Sequence, residues 1–517
     1  MHILKNASRR VFLRQAGAMS ALVGGAAPLA LNLSALGSAA AAGAADYKAI
    51  VCLFFYGGND SYNMVLPTDA ASWSAYTATR TQAPDPIALL AAGVAPNPGA
   101  AAGSPARLGG VLPISPLRAQ SRSFALHPVM ASLQAMFDTD KRLAILPNIG
   151  PLLMPTTKAQ YAQGSFPKPP RLFSHNDQQN TWQALGPEGV SLGWGGRMGD
   201  MLVTQNSKPV FTAVSAAGNS VFVSGNTVRQ YQVSTNGAIP LGVNAAGQVY
   251  GSADVGTLLQ QLASTTRTDH PFDADVAAVA GRAIDAEQTL RNLRPASDPA
   301  FGTPVATGVT YSQSNDDKLR YLNPLTGTTA PNTLAQQFQV VARMIDAGLT
   351  GLTGAQRQVF FVSMGGFDSH DGQNRTHADL YARIAHAMKY FDTTLGAMGA
   401  RNNVTTFTGS DFGRTFTSNG DGTDHGWGSH HFVMGGAVKG GDLYGTFPVL
   451  GLKNANNSNF DSSPDQLGNG AMLPGTSVDQ LGATLGRWFG LTDAQIADIF
   501  PNLANFNLSV RNLGFMA

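Results

Sequence analysis

The sequence has little cysteine, little charge and little histidine. One cysteine, Cys52, occurs in 517 residues, which excludes an intramolecular disulfide and any metal site built from paired cysteines. Charged residues make up only 13% of the chain. Ten histidines are spread over the whole length, so a local concentration of them points to a site. Cys52 itself lies in an apolar run, where we expect it to be buried.

The remaining composition is that of a large globular protein. Hydrophobic residues account for 43% of the chain, enough to bury a sizeable core. The 58 glycines and 29 prolines indicate many turns and long loops rather than a helical bundle. We therefore expect an α/β protein, either one large domain with insertions or two domains.

The first 42 residues are typical of a signal peptide. Ser8-Arg-Arg-Val-Phe-Leu-Arg14 is a twin-arginine pattern, and small residues at 39–42 suit cleavage. The intervening glycines and Pro28 would make a poor membrane-spanning helix. We expect a periplasmic or secreted protein with no stable span in the mature chain. Because this pathway exports folded proteins, it suits an enzyme that acquires a metal inside the cell.

The charge balance excludes some classes of partner. Removal of residues 1–42 takes away Lys5, Arg9, Arg10 and Arg14 but no acidic residue, so the cation and anion counts change from 34 and 32 to 30 and 32. The mature chain, near −2, has no basic footprint for nucleic acid or anionic lipid. We expect neither as a partner.

Three predicted strands, the first a continuous apolar run, are each followed by a turn that carries an aspartate. They are 47–56 before Asp60, 358–363 before Asp368 and His370, and 404–408 before Asp411. Continuous apolar runs are typical of parallel strands buried on both faces, and ligands collect at the carboxyl ends of such strands. We expect a mostly parallel sheet with the aspartates at one edge. The alternative for Asp60 is a turn residue that caps the next segment.

A histidine-rich segment, 424–431, follows the third of these turns. It contains His425, His430 and His431 next to Asp424. One histidine alone is more often a satisfied core residue, but three within seven residues favour a site. Together with the aspartates they predict a divalent-metal site, and the mixture of imidazole and carboxylate favours zinc or manganese over calcium.

Ser174 stands where a helix running towards Ala184 would begin. A serine there can be a simple N-cap. The same position lets amide donors and the helix dipole bind a phosphate or sulfate, which a metal-activated hydroxyl could attack. Both interpretations are open from the residues alone.

The domain organisation predicted from these patterns has four parts. After the signal peptide, 43–186 forms the first part of the α/β core, and 346–517 forms the second part with the metal-type motifs. The mixed signals of 187–345 indicate an insertion or cap that shapes the substrate opening.

Several motifs together resemble the bacterial domain of unknown function family 1501, over nearly the whole mature chain. Besides the twin-arginine signal they are Gly57-Gly-Asn-Asp60, Phe173-Ser-His175, Gly365-Gly-Phe-Asp-Ser-His370, Ser410-Asp-Phe-Gly-Arg-Thr415, Thr423-Asp-His-Gly-Trp-Gly-Ser-His-His-Phe-Val-Met-Gly-Gly436 and Phe500-Pro-Asn-Leu503. That family is similar to the alkaline phosphatase and sulfatase superfamily. The resemblance implies a doubly wound α/β fold with metal ions at the strand ends.

The same resemblance implies roles for individual residues. Metal ligands would be Asp60, Asp368, His370, Asp411 and a final histidine, either His425 or His430. Ser174 is similar in placement to the superfamily's nucleophile, next to His175. Phe412 stands where an Asp-His pair would have its histidine, which leaves the number of ions at one or two.

The implied function is that of an exported metal-dependent hydrolase of phosphate or sulfate esters. Ser174, His175 and Arg414 would be its catalytic residues, and the substrate would be a small-molecule or polymer-borne ester. Arg171 or Arg414 could hold the non-bridging oxygens, although an arginine beside an aspartate is as often a structural ion pair. The alternative is a non-catalytic exported metal-binding or cell-surface protein on the same fold.

Overall fold

The apolar runs form strands and the amphipathic segments between them form helices in this computed structural model, which describes residues 46–244 and 246–517. The expected signal peptide lies outside those residues. The strands are β1 (Lys48–Phe55), β2 (Val65–Pro67), β3 (Leu112–Ile114), β4 (Phe124–Leu126), β5 (Leu143–Gly150), β6 (Ala213–Ser215), β7 (Tyr231–Ser234), β8 (Gly237–Ala238), β9 (Arg320–Leu322), β10 (Thr329–Pro331), β11 (Arg357–Met364), β12 (Val404–Ser410), β13 (Arg414–Ser418), β14 (Thr423–His425), β15 (Ser429–Gly435) and β16 (Thr476–Ser477).

Twelve α-helices accompany the strands within the described residues. They are α1 (Ala70–Arg80), α2 (Pro105–Leu108), α3 (Ala131–Asp138), α4 (Lys158–Tyr161), α5 (His175–Ala184), α6 (Trp194–Leu202), α7 (Ala253–Ser264), α8 (Pro271–Leu290), α9 (Thr333–Leu349), α10 (Gln373–Ala397), α11 (Val478–Phe489) and α12 (Asp493–Ile499). None of these helices combines the length and the apolar character that crossing a bilayer requires.

Nine strands form the central sheet, in the order β16-β5-β15-β12-β1-β11-β6-β7-β8. Neighbours are parallel except where β15 pairs with β12 and β5, and where β8 pairs with β7. The mostly parallel α/β sheet expected from the sequence is thereby confirmed.

Both faces of the sheet are covered by apolar side chains. In β1 the residues alternate, so that Val51 and Leu53 pack on one face while Ile50, Cys52 and Phe54 pack on the other. Helices α9 and α10 contribute to the first layer, and α6 and α11 to the second. Cys52 is buried as expected. The continuous apolar run of β1 follows from this double burial.

Strands β11, β1 and β12 end at the same edge of the sheet. Phe55 is paired with Met364 on one side and with Ser410 on the other. The loops that follow these three strands therefore leave the sheet side by side, and they carry the three predicted aspartates.

The region 187–345, expected to be an insertion or cap, is divided between the core and the outside. Its strands β6, β7 and β8 extend the central sheet beyond β11, and helix α9 packs in the core. Helices α7 and α8 pack against each other outside the sheet. The segment Val221–Val223, which has the composition of a strand, forms a single 3-10 turn.

Candidate metal centre

Three side chains from separate segments converge at the carboxyl edge of the sheet. His175 is the first residue of α5, Asp368 lies in the loop after β11, and His425 ends β14. One ligand atom from each lies within 4.8 Å of the others. His175 Nε2 is 3.1 Å from His425 Nε2 and 3.4 Å from Asp368 Oδ2. Two imidazoles and a carboxylate therefore face a common point.

A third imidazole adjoins this cluster. His370 Nε2 lies 3.0 Å from His425 Nε2 and 3.2 Å from Asp368 Oδ1. The side chains of His370 and Asp368 are each 46% exposed, so the cluster opens to solvent. The structure thus brings together the predicted ligands Asp368, His370 and His425, and adds His175, which the sequence marked as catalytic.

The other ring nitrogen of each histidine faces an oxygen that can only accept a hydrogen bond. The pairs are His175 Nδ1 with Asp411 Oδ2 at 2.7 Å, His425 Nδ1 with the Phe173 carbonyl at 2.7 Å, and His370 Nδ1 with Asp424 Oδ1 at 3.3 Å. In a neutral imidazole the single hydrogen is then on Nδ1, and Nε2 carries a lone pair. Lone pairs that face each other at about 3 Å repel unless a proton or a metal ion lies between them, and the imidazole and carboxylate donors of this set fit a metal ion.

The protonation of the cluster follows from its surroundings. The hydrogen bond to Asp411 raises the pKa of His175, against the opposing effect of burial. Burial lowers the pKa of His425. Burial would raise the pKa of Asp368, but the hydrogen bond and charge of Arg414 outweigh it, and the pKa is lowered. Asp368 is therefore ionised at neutral pH.

Asp411, predicted as a metal ligand, lies behind His175. Its side chain is fully buried, and Oδ2 accepts hydrogen bonds from Gly57 N at 3.0 Å and Gln179 Nε2 at 2.8 Å as well as facing His175. Oδ1 has no partner among the described residues. Asp411 therefore orients the imidazole of His175. Gln179 is recognisable in hindsight, because it lies four residues after His175 on the same helix face.

Phe412 packs against two of the imidazoles. Its ring centroid lies 4.7 Å from that of His175 and 4.8 Å from that of His425. Gly58 has a left-handed φ of 82°, and a Cβ there would lie 2.3 Å from the Phe412 ring. An apolar ring thus occupies the position to which the resemblance assigns another histidine.

The structure does not bring Asp60 into the cluster. Arg80 Nη1 and Nη2 lie 2.6 and 3.0 Å from its two carboxylate oxygens, and both side chains are fully buried. Gln373 Nε2 donates to Oδ2 at 2.7 Å, and Tyr62 N donates to Oδ1 at 3.2 Å. Only the contact with Tyr62 N is a local turn contact of the kind the alternative interpretation named. The other three donors are side-chain groups of Arg80 and Gln373, so the buried carboxylate is already bound by four donors.

Arg414 is not available to a substrate. Its fully buried guanidinium donates to Asp368 Oδ1 at 2.7 Å, to the Gly57 carbonyl at 3.2 Å and to the Thr423 carbonyl. It fixes Asp368 and is a structural ion pair, the alternative that its neighbouring aspartate suggested. Arg171, the other candidate, has a side chain that is 72% exposed and lies 3.7 Å from Asp177.

His430 lies away from the cluster, within the antiparallel strand β15. Its Nδ1 accepts a hydrogen bond from Asn148 N at 3.0 Å, and its ring packs against Phe447. Burial lowers the pKa of His430 to about 3, so it stays neutral. Of the two candidates for the final histidine, His425 is the one at the cluster.

Ser174 precedes His175 as the N-cap residue of α5. Its Oγ donates to Asp177 Oδ2 at 2.9 Å rather than accepting from a backbone amide. Phe173 has a left-handed φ of 72°, and its carbonyl meets His425. Asp177 is missing from the sequence prediction, although Ser-x-x-Asp is a recognisable helix-start pattern. The role of the Phe173 carbonyl has no sequence signal, because any residue supplies one.

Comparison with known proteins identifies a family but no activity. Two crystal structures of Ps i-CgsB, one of them in complex with k-i-k-neocarrahexaose, are similar to this chain at 8% identity, with 89% of this chain and 77% of theirs covered and a TM-score of 0.31. A likeness this remote carries no argument. No curated protein matches the chain. The family described as "Protein of unknown function (DUF1501)" matches residues 47–500, most of the sequence, and the protein therefore belongs to the DUF1501 family.

Proposed function

We propose that this protein is an exported hydrolase of phosphate or sulfate esters that depends on a divalent ion held by His175, Asp368 and His425. The observation that supports it best is the convergence of Nε2 lone pairs whose opposite Nδ1 hydrogens are already engaged. His370 adjoins the same point and can serve as a fourth ligand.

The donor set suits zinc or manganese. Both accept imidazole nitrogen and carboxylate oxygen, and catalytic zinc sites commonly have three protein ligands and one open position. The exposure of Asp368 and His370, 46% each, leaves room for a substrate at such a position. Acceptors behind each histidine resemble the outer partners that orient ligands in metal sites.

One ion fits this site better than two. Asp60 is fully engaged by Arg80 and Gln373, and Asp411 is engaged by His175, Gln179 and Gly57. A second ion would also lack the histidine that the resemblance assigns to position 412. Phe412 occupies that position and packs on the rings of His175 and His425. The proposal is therefore for a single ion.

Ser174 is the proposed nucleophile. Its hydroxyl donates to Asp177, so the oxygen keeps its lone pairs and the carboxylate can take the proton. A bond from Oγ to phosphorus or sulfur would form as the ester bond breaks, and the departing alkoxide would take the proton from Asp177. Water would then attack phosphorus or sulfur and break the bond to Oγ, which releases phosphate or sulfate and restores the serine hydroxyl. A bound divalent ion would supply Lewis-acid stabilisation of the charge that develops on the ester oxygens.

Two features next to Ser174 favour an anionic substrate. The N-terminus of α5 begins at His175, and helix N-termini favour negative charge. Arg171 is largely exposed three residues before Ser174 and can reach a non-bridging oxygen. The mostly parallel sheet with its site at the carboxyl edge also supports the proposal that the fold is the doubly wound one of the alkaline phosphatase superfamily.

The test is hydrolysis of 4-nitrophenyl phosphate and 4-nitrophenyl sulfate by the mature protein, with added zinc or manganese and with a chelator. We expect chelator-sensitive turnover of one ester, lost in His425→Ala together with the ion. Ser174→Ala should keep the ion and lose turnover. His270→Ala, a change of an exposed histidine at the start of α8, is the matched control and should change neither.

The outcomes separate the parts of the proposal. Wild-type turnover in Ser174→Ala would show that water attacks directly. A bound ion without hydrolysis of any phosphate or sulfate ester would favour the non-catalytic metal-binding protein. Ester hydrolysis that a chelator leaves unchanged would overturn the role of the ion.

A further inference from the structure

A cavity lies between helix α8 and the segments 203–211 and 227–231, and none of its lining residues belongs to the metal centre. Its volume is about 890 Å³, within the usual range of roughly 300–1,000 Å³ for ligand sites. Its apolar lining includes Val210, Phe211, Val228 and Ala286. Val279 also lines the cavity and is exposed to solvent. A cavity of this composition favours a ligand with an apolar body.

The charged lining of this cavity is mostly positive. Lys208, Arg229 and Arg282 line it against a single acidic residue, Asp285. Within residues 46–244 and 246–517, the guanidinium groups of Arg229 and Arg282 have no ion pair and no hydrogen bond. Most of the other arginines that the structure describes form ion pairs, as Arg80 does with Asp60. Two guanidinium groups without a protein partner at one apolar cavity are available to bind an anionic ligand.

We propose that this cavity binds an amphipathic anion, a carboxylate on an aliphatic chain. The chain would lie against Phe211 and Val228, and the carboxylate would meet Arg229 and Arg282. This proposal is independent of the metal centre and of ester hydrolysis.

The polar lining supports an anion rather than a neutral ligand. Burial raises the pKa of Tyr231 to about 12, so its hydroxyl remains a hydrogen-bond donor, and it has no partner among the described residues. Lys208 Nζ already donates to Thr289 Oγ1 at 3.1 Å and keeps two further hydrogens. The polar groups at this cavity that lack a partner are therefore mainly hydrogen-bond donors. A carboxylate has two oxygens that accept from them, whereas an alcohol has only one.

The test is titration of the full mature protein with dodecanoate by isothermal calorimetry. The dodecanoate concentration is kept below the value at which dodecanoate forms micelles. We expect one saturable site per chain and at least about 10-fold weaker binding in the double variant Arg229→Gln, Arg282→Gln. Because both arginines are exposed, the double variant should fold, which circular dichroism checks. Lys439→Gln removes an exposed cation outside the cavity and is expected to bind as the wild type does.

Two further probes separate the apolar and the charged contributions. Dodecyltrimethylammonium has the same chain with the opposite charge, and acetate has the charge without the chain. We expect neither to bind at concentrations that saturate dodecanoate. Equal binding of the cation would show non-specific apolar adsorption, equal binding of acetate would show a simple anion site, and an unchanged double variant would show that the arginines play no part; each result would overturn the proposal.

Discussion

His425 and His430 lie five residues apart in one motif, and their surroundings differ in every respect that matters for a metal ligand. His425 ends a short strand at the carboxyl edge of the sheet, is partly exposed and faces two other imidazoles. His430 lies within β15, fully buried between β12 and β5. The same residue type thus serves an open site in one case and the core in the other.

The hydrogen bond at Nδ1 differs between His425 and His430. At His425 the Phe173 carbonyl accepts from Nδ1, which leaves Nε2 free for an ion. At His430 the Nδ1 atom itself accepts from Asn148 N, and its Nε2 has no partner among the described residues. His430 belongs to no group of three or more histidine, cysteine or carboxylate ligands among the described residues, so it is a poor candidate for holding an ion. Density of histidines in a motif is therefore a weaker guide than the position of each ring in the fold.

The largest expected effect is at His425. His425→Ala should weaken zinc or manganese binding by more than about 100-fold. Loss of a residue that only orients a ligand already costs about 10–100-fold, and loss of the ligand itself should cost more. Calorimetric titration with zinc measures the loss. His430→Gln is the matched variant, since an amide oxygen can still accept from Asn148 N, and it should bind the ion as the wild type does. Equal loss in both variants would end the distinction between the two histidines.

Phe412 supports the open site, because its ring packs against those of His175 and His425. Phe412→Ala should lower the free energy of unfolding by about 3–5 kcal/mol, as usual for a buried phenylalanine, and should also weaken ion binding because the ring supports His175 and His425. Phe416→Ala is the control: it removes an equally buried ring that packs on Tyr62 and Phe460. Denaturant unfolding together with metal titration should show stability loss in both variants and weaker ion binding only in the first. Unchanged ion binding in Phe412→Ala would contradict the supporting role.

Asp411 tests the orienting contact behind His175. Asp411→Asn should reduce ion affinity by about 10–100-fold, because the neutral amide holds the Nδ1 hydrogen of His175 less strongly. Titration of the variant with zinc measures the change. A complete loss of the ion, as large as in His425→Ala, would instead indicate that Asp411 is itself a ligand.

The buried histidines predict a pH effect on stability. Burial lowers the pKa of His431 to about 3, below the value of about 6.5 in the unfolded chain. Only the unfolded state gains a proton between these values, so the stability present above pH 6.5 is lost as the pH falls, by about 1.4 kcal/mol per pH unit for this residue. His431→Phe should remove that part of the slope between pH 7 and pH 5 in denaturant unfolding. A slope identical to the wild type would show that His431 is protonated in the fold.

Much of the sheet could be predicted from local pattern. The strands β1, β11 and β12 are buried along most of their length because both faces of the sheet are covered, and a glycine or polar turn follows each of them. The same argument placed Asp368 and Asp411 at one edge, since parallel neighbours in register end together. Helix α5 begins one residue after Ser174, where its capping pattern indicated.

The distinction between ligand and supporting residue could not be predicted. Asp60 follows a central strand, as a ligand would, but Arg80, 20 residues away along the chain, neutralises its charge, and Gln373, 313 residues away, donates a hydrogen bond to it. The Phe173 carbonyl acts through a left-handed backbone that its residue type does not signal. Such contacts depend on tertiary packing, and one sequence carries no direct trace of them.

The central claim, that His175, Asp368 and His425 hold a metal ion, is tested most directly by elemental analysis of the protein purified without chelator or metal-affinity resin. We expect one equivalent of zinc or manganese per chain in the wild type and in His430→Gln, and none in His425→Ala. His425→Ala is preferred to a change of Asp368, which would leave the buried Arg414 without its partner. A folded wild-type protein that contains no metal and takes up none on titration would contradict the account.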